Sequence, residues 1–112
     1  MAGVIGAARF IENVRKTSLA SKVVVRVEIS IETTRVARAR VFLIDLTFVD
    51  VYYNQKTGAT AFAQIHRAKR IFGADNKQGW HWHPREEPSL HVESKHAISF
   101  EEFFRDVEKN AK

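Results

Sequence analysis

Apolar residues recur at helical spacing near the start of the chain and at every second position after it. Residues 4 to 18 place five apolar side chains near one face of a helix: Val4, Ile5, Ala8, Ile11 and Val14. In the next segment, KVVVRVEISIETTR, alternate positions are apolar as in a half-buried strand: Val23, Val25, Val27, Ile29 and Ile31. The pattern predicts an amphipathic N-terminal helix that covers a sheet, with the first strand directly after it.

The run RVARARVFLIDLTFVDVYY, which begins at Arg35, has the β-branched and aromatic residues typical of strands. Strands are usually about 3 to 10 residues long, and this run is roughly twice that. We therefore expect either two strands that meet near Ile44 and Asp45 or one long, bent strand. We expect Thr47 and the neighbouring aspartates to face outward or towards a cleft. The inward side is predicted to hold Phe42, Ile44, Leu46 and Phe48.

Turn residues separate the shorter strands that follow. The sequence NQKTG at 54 to 58 has the Asn and Gly of a tight connection, and ATAFAQIH after it alternates, so residues 46 to 66 are predicted to form a hairpin. Arg67 and Ala68 would form the next turn, with KRIFG as a short strand after it. These segments indicate a meander of antiparallel strands.

The end of the chain has the capping-box pattern SFEE, in which Ser99 precedes Glu102 by three residues. An apolar stripe follows, so we predict a helix from about 99 to 110. The predicted fold class is α+β, with one domain over residues 1 to 112. It is an antiparallel meander sheet with N-terminal and C-terminal helices packed on one face. The other face would carry arginines, glutamates and the histidine-rich segment.

The composition is that of one folded domain and excludes several kinds of site. The chain has 112 residues, of which 45% are hydrophobic and 28% charged, as in globular proteins. It has no cysteine, which excludes disulfides, thiolate metal ligands and cysteine nucleophiles. The apolar start is too short for a signal peptide, and no stretch approaches the roughly 20 apolar residues of a membrane span. We therefore expect a cytoplasmic protein with no membrane partner.

The net charge of +5 is distributed unevenly along the chain. Residues 1 to 40 hold eight Arg or Lys against three acids, whereas residues 75 to 112 hold six against eight. A basic half attracts nucleic acid or an acidic partner, although a solvated surface explains it equally well. If the partner is nucleic acid, the expected contacts are Arg26, Arg38, Arg40, Lys69, Arg70 and Arg85.

The segment GWHWHPREEPSLH, residues 79 to 91, holds three of the five histidines and both tryptophans. In an extended strand, His81 and His83 face one way, and Trp80 and Trp82 face the other. Pro84 should end the strand, because proline cannot donate to a β ladder. The segment has a side for ring packing and a side for chemistry.

Three interpretations of this segment are open. The two histidines could ligate zinc, nickel, copper or iron, with a third ligand from His91, His66 or Glu87. They could instead cleave RNA without a metal, one imidazole deprotonating the 2′-hydroxyl and the other protonating the leaving oxygen. They could also be amphipathic rings that pack on one side and meet water on the other. Asp75, after IFG, has its own simple explanation as a turn residue.

The order of the motifs RIFGADN, GWHWHP, HV and ISFEEFFRDV, clearest over residues 69 to 104, resembles the TumE family of toxins from bacterial and archaeal toxin–antitoxin modules. Members of that family are small, β-rich proteins with an Asp-Asn pair after a strand, a histidine- and proline-rich stretch, a histidine-valine step and a closing amphipathic helix. The corresponding residues here are Asp75 and Asn76, His81 and His83, and His91 with Val92.

The resemblance implies a growth-inhibiting toxin that a cognate antitoxin neutralises, with action on RNA or translation as the natural expectation. We hypothesise a metal-independent ribonuclease without cofactors, with catalytic residues His81, His83, Asp75 and His91. The alternatives are a non-catalytic module that binds nucleic acid or protein, and a small metalloprotein with histidine ligands. An apolar helix face with Phe103 or Phe104 exposed could serve a homodimer or an antitoxin groove equally well, so a homodimer is a further expectation.

Overall fold

The computed structural model describes residues 5–31 and 34–111 of the chain. The first helix, α1, spans Ala7–Leu19, and the last, α2, spans Phe100–Asn110. Seven strands lie between them: β1 (Val24–Ile31), β2 (Val36–Leu43), β3 (Phe48–Asn54), β4 (Thr60–His66), β5 (Lys69–Asp75), β6 (His81–His83) and β7 (Val92–Glu93). They form one sheet in the order β1-β2-β3-β4-β5-β6-β7, and each strand is antiparallel to the next. The predicted α+β meander is therefore confirmed.

Both helices pack on the same face of the sheet, which we call the helix face. The core there combines Ile11 and Val14 of α1 with Phe103, Phe104 and Val107 of α2 and with the inward side chains of the strands. Phe103 stacks on Phe72 of β5 at 4.8 Å between ring centroids. Phe103 and Phe104 are buried, so the predicted exposure of these two rings was wrong, and a homodimer stays a prediction without them.

The buried stripe of α1 differs from the predicted one by part of a turn. It consists of Ala7, Ile11, Val14 and Ser18, whereas Ala8 and Ile5 are exposed and Val4 lies outside the described residues. The reason lies at the start of the helix. Its first amide, on Ala7, donates to Gln55 Oε1 at 2.9 Å, which places Ala7 against the sheet.

Strand β1 is less regular than its alternation predicted. A bulge between Val24 and Arg26 shifts the pairing with β2, which leaves Val25 60% exposed. Val24 and Val27 pack against the core, whereas Ile29, near the far end of the strand, is exposed. The predicted burial of Val25 and Ile29 was therefore wrong.

The long β-rich run forms two strands, which is one of the two predicted alternatives. Asp45 Oδ1 accepts hydrogen bonds from both the amide and the hydroxyl of Thr47, and Leu46 has a positive φ of 70°, so the chain reverses here. The reversal interrupts the alternation on which the predicted inward set depended. Ile44 and Leu46 are exposed, Thr47 is buried, and Phe42 and Phe48 lie on the face away from the helices. The buried residues are Val41, Leu43, Val49 and Val51.

The remaining local predictions are confirmed. The hairpin of β3 and β4 turns through residues 55–59, and the next turn uses positive φ angles at Arg67 and Ala68. Helix α2 begins where predicted, and the Ser99 hydroxyl accepts the Glu102 amide at 3.0 Å. Strand β6 ends directly before Pro84. Within the described residues, neither helix is long and apolar enough to cross a membrane.

Candidate functional site on the open face of the sheet

The face of the sheet opposite the helices, which we call the open face, carries the polar chemistry of the chain. The pairing of β5 with β6 sets Asp75 opposite His81, and Gly73 opposite His83. The alternation that turns these side chains to the open face sends Trp82 to the helix face, where it stacks with Phe72 at 5.7 Å. The predicted division between a ring-packing side and an imidazole side is therefore present.

Three imidazoles and one carboxylate meet at this point, and we call His81, His83, His91 and Asp75 the histidine cluster. The carboxylate lies between two of the rings, with Oδ2 at 2.9 Å from His83 Nε2 and Oδ1 at 3.2 Å from His81 Nε2. His91 lies in the connection before β7, and the centroid of its ring is 4.7 Å from the centroid of each of the other two rings. The structure thus brings together all four residues that the sequence proposed as catalytic.

The environment of Asp75 favours its ionised form. Burial by itself would raise the pKa of this carboxyl, but the hydrogen bond from His83, the amide of Lys77 and the nearby His81 outweigh burial and lower the pKa below its ordinary value. The Lys77 amide donates to Oδ1 at 3.0 Å, which is the turn role that the sequence offered as a simple explanation. Asp75 therefore serves the turn and the cluster together.

His81 is held in one tautomer by the backbone. Its Nδ1 lies 3.0 Å from the carbonyl oxygen of Gly79, and because a carbonyl only accepts, Nδ1 must carry a hydrogen. In the neutral ring, Nε2 then has only a lone pair, and this lone pair faces the carboxylate oxygen of Asp75 at 3.2 Å. Two acceptors at this distance repel each other, and a cation bound to Nε2 would relieve this repulsion.

His83 is the most deeply placed member of the cluster, at 3% exposure. Since its Nε2 faces an ionised carboxylate, Nε2 carries the hydrogen, and Nδ1 is left as a buried acceptor. Nδ1 has no hydrogen-bond partner among the described residues. A buried polar group left unsatisfied costs about 1–3 kcal/mol, and such a group in a folded protein requires an explanation.

Gly73 makes the position of His83 possible, although the sequence did not point to it. A Cβ added to Gly73 would lie 3.0 Å from Arg70 Cδ, 3.1 Å from the carbonyl oxygen of Phe62 and 3.4 Å from His83 Cδ2. The absent side chain lets the imidazole lie close over the neighbouring strand. A glycine within a strand is a signal of such a close approach, but the partner is known only once the strand register is known.

The opposite end of the open face carries the arginine strip, which we define as Arg26, Arg38 and Arg40. Each guanidinium lies over an aromatic ring of β2 or β3, at 4.0 to 4.8 Å from the ring centroid. Arg40 also pairs with Asp50 at 2.9 Å, and both side chains are about half exposed. The rings concerned are Phe42, Tyr52 and Phe48.

Three shallow depressions lie along the open face, from the arginine strip to the histidine cluster. One of about 470 Å³ is lined by two arginines of the strip and by Tyr52 and Ala61. A second, of about 420 Å³, shares Tyr52 and Ala61 and reaches Asp75. A third, of about 260 Å³, is lined by His81 and His91. The first two depressions thus adjoin at Tyr52 and Ala61, and the third lies at the histidine cluster.

The other predicted nucleic-acid contacts lie in different surroundings. Arg70 passes over Gly73 beside His83 and donates to the carbonyl of Pro88 at 3.1 Å, so it is close to the cluster. Lys69 is exposed at the start of β5. Arg85 stacks on Phe72 at 4.4 Å and pairs with Asp106 of α2 at 2.8 Å. Arg85 therefore joins α2 to the helix face and does not lie with the histidines.

The alternative metal ligands that the sequence offered do not join this site. Within the described residues, one group of His, Cys, Asp or Glu side chains is close enough to hold a metal ion, and it consists of His81, His83 and His91. His66 is exposed at the end of β4, and Glu87 is exposed in the connection after β6. The third histidine is thus His91.

Comparison of the chain with protein-family models, with curated proteins and with solved structures gave no match.

Proposed function

We propose that the open face of the sheet binds RNA and that the histidine cluster cleaves it. The observation that carries this proposal is the meeting of three imidazoles and an ionised carboxylate on the same face as the arginine strip. Proteins that bind single-stranded RNA combine aromatic rings, on which bases stack, with cations that contact phosphates. The open face offers both, and the histidine cluster lies at the other end of the same face.

The reaction that fits these groups is transfer of a phosphodiester to the neighbouring 2′-hydroxyl. The hydroxyl loses its proton and its oxygen bonds to phosphorus, while the bond from phosphorus to the 5′-oxygen breaks and that oxygen takes up a proton. The products are a 2′,3′-cyclic phosphate and a free 5′-hydroxyl. Imidazoles exchange protons near neutral pH, and Arg70 beside His83 can stabilise the developing charge.

The biological role we propose is that of the toxin in a toxin–antitoxin module, with a cognate antitoxin as its partner. The motif order from RIFGADN to ISFEEFFRDV supports this proposal. Cleavage of cellular RNA would account for growth inhibition, and the net charge of +5 favours a polyanionic target.

The direct test is cleavage of a fluorescently labelled single-stranded RNA by the purified chain. The wild type should release fragments with cyclic phosphate ends, and the double variant His81→Ala, His83→Ala should not. His96→Ala is the matched control, because His96 contacts Glu102 near α2 and lies outside the cluster. Equal cleavage by the wild type and the double variant would show that the cluster is not the site.

A growth assay tests the proposed biological role separately. Induction of the wild-type gene in a host without the antitoxin should arrest growth, and induction of the double variant should not. If both arrest growth equally, toxicity does not depend on the histidine cluster. If neither does, the toxin proposal fails, whatever the purified chain does to RNA.

The arginine strip also supports a second candidate, a module that binds RNA without cleaving it. Its three stacked guanidiniums present cations and rings over β1 to β3. Phosphate contacts make affinity fall steeply with added salt. This candidate predicts salt-dependent RNA binding that the double histidine variant leaves unchanged, with no cleavage by the wild type.

A further inference from the structure

We infer that His81, His83 and His91 bind one divalent transition-metal ion of the zinc type, and that Asp75 orients His83, the most buried of these ligands. One ring nitrogen from each of the three histidines lies within 4.8 Å of the other two. Three protein ligands with a further position left open are the arrangement found in catalytic zinc sites. A bound ion would occupy the imidazole nitrogens that the proposed proton transfers use, so metal binding and the metal-independent mechanism are alternatives. The inference follows from the donor atoms whether or not RNA is the substrate.

The contacts of His81 leave its Nε2 available as a metal ligand. With Nδ1 committed to the carbonyl of Gly79, the free lone pair on Nε2 faces Asp75 Oδ1 at 3.2 Å. A backbone carbonyl that holds one ring nitrogen while the other is free is the usual support for a metal-bound histidine. A metal ion at this position would remove the repulsion between the two acceptors.

The contacts of His83 give an independent observation. Asp75 Oδ2 accepts from Nε2 at 2.9 Å, which is the carboxylate–histidine arrangement that fixes a ligand's tautomer in metal sites. The buried Nδ1 is then a lone pair without a partner among the described residues. A metal ion is a partner that would use this lone pair, and it would explain why so buried an acceptor is left unsatisfied.

The third ligand, His91, is placed to close over the ion. Its ring stacks on that of His81 at 4.7 Å, and it is an exposed residue in the connection that leads to β7. Zinc–nitrogen bonds of about 2.1 Å in a tetrahedron bring ligand atoms to roughly 3.4 Å from one another. The nitrogens must therefore approach by up to about an ångström and a half, and the exposed His91 is the ligand with room to move.

The donor set also indicates which metals would bind. Neutral imidazole suits zinc, nickel, copper and iron, whereas magnesium and calcium take oxygen ligands. His81 and His91 both line the depression of about 260 Å³, so a metal ion held between them can be reached from it. A substrate oxygen or a water molecule can occupy the open position from that side.

The test is titration of Zn²⁺ into the purified full-length chain by calorimetry, after treatment with EDTA and removal of the chelator. We expect one Zn²⁺ per wild-type chain. His91→Ala, at an exposed position, should weaken zinc affinity at least tenfold, as should His81→Ala. Asp75→Asn should weaken it about 10- to 100-fold, because it removes the charge that orients His83. His96→Ala, outside the cluster, should bind zinc as the wild type does.

Absence of stoichiometric zinc binding by the folded wild type would overturn the inference. Equal zinc affinity of the wild type and His91→Ala would also overturn it. A circular-dichroism spectrum of His91→Ala identical to that of the wild type would show that the variant is folded. The proposed function fails or stands separately: a chain that binds zinc but cleaves no RNA keeps this inference and loses the proposed function. A chain that cleaves RNA at full rate and binds no zinc keeps the proposed function and loses this inference.

Discussion

The two ends of the open face both place an aspartate beside cationic or imidazole groups, and they differ in how far these groups are removed from water. At the arginine strip, Asp50 pairs with Arg40, and the two side chains are 45% and 55% exposed. At the histidine cluster, Asp75 contacts His83, whose side chain is 4% exposed, and that of Asp75 itself is 21% exposed. The same kind of contact therefore has different consequences at the two ends.

Exposed ion pairs contribute about 0–1 kcal/mol, because water and salt screen them and the long side chains lose freedom. The arginine strip can therefore exchange its internal partners for a phosphate group at little cost. In the histidine cluster, desolvated groups are held by fixed contacts, and one of them, His83 Nδ1, is unsatisfied among the described residues. The strip has the properties of a binding surface, and the cluster has those of a preorganised site.

Among single substitutions, the largest expected effect comes from Asp75→Asn. Asparagine keeps an oxygen for the Lys77 amide, so the turn should survive, but it loses the charge that holds two imidazoles. We expect RNA cleavage to fall about 100-fold or more, in the range of lost acid–base assistance. Initial rates on labelled RNA at saturating concentration measure this.

The matched control for that change is Asp50→Asn, on the same face and beside Arg40. It should leave the cleavage rate within about twofold and change the free energy of unfolding by no more than about 1 kcal/mol. Similar losses of activity in the two variants would contradict the distinction between the two ends.

Gly73→Ala should have an intermediate effect. The added Cβ meets the Phe62 carbonyl at 3.1 Å and Arg70 at 3.0 Å, so the strand or His83 must shift. We expect a loss of stability of about 1–3 kcal/mol from overpacking, measured by urea unfolding. We also expect cleavage to fall about tenfold at temperatures where the variant is folded, because small displacements of catalytic groups are costly.

The control for this substitution is Gly6→Ala, where the nearest atom to the new Cβ is Gln55 Oε1 at 3.7 Å. That is an ordinary contact, distant from the histidines in the fold, so the variant should cleave RNA as the wild type does. Full activity in folded Gly73→Ala would mean that the close approach of His83 to β5 is not needed.

The smallest effect on the rate at saturation is expected from the double variant Arg38→Ala, Arg40→Ala. It should weaken RNA binding and lower the slope of log affinity against log salt by about 2, roughly 1 for each lost phosphate contact. Arg15→Ala is the control, because Arg15 pairs with Glu12 on α1 at the other side of the molecule. Fluorescence anisotropy at several salt concentrations measures the RNA affinity and the salt slope of both variants. An unchanged slope in Arg38→Ala, Arg40→Ala would exclude the strip as the phosphate contact.

The sequence predicted the features of this fold that depend on local chemistry. Ser99 and Glu102 marked the start of α2, Pro84 marked the end of β6, and alternation separated Trp82 from His83. Each of these signals acts within a few residues, so no knowledge of distant partners was needed.

Features that depend on register or on a break in the alternation were not predictable. The reversal at Leu46 inverted the predicted inward set of β2 and β3, and the bulge after Val24 exposed Val25. In the cluster, His91 was one of three candidate third ligands, and the pairing of β6 with its neighbours was needed to select it. The role of Gly73 beside His83 likewise appears only when residues ten apart are paired.

Zinc binding by the histidine cluster can be followed at the imidazole nitrogens of all five histidines by ¹⁵N NMR while Zn²⁺ is added. With one equivalent, the signals of His81, His83 and His91 should move together and stop changing. The signals of His66 and His96, which lie outside the cluster, should not move, so these two histidines serve as internal controls. If the three cluster histidines do not respond, or if all five histidines respond alike, the cluster does not bind zinc as we infer.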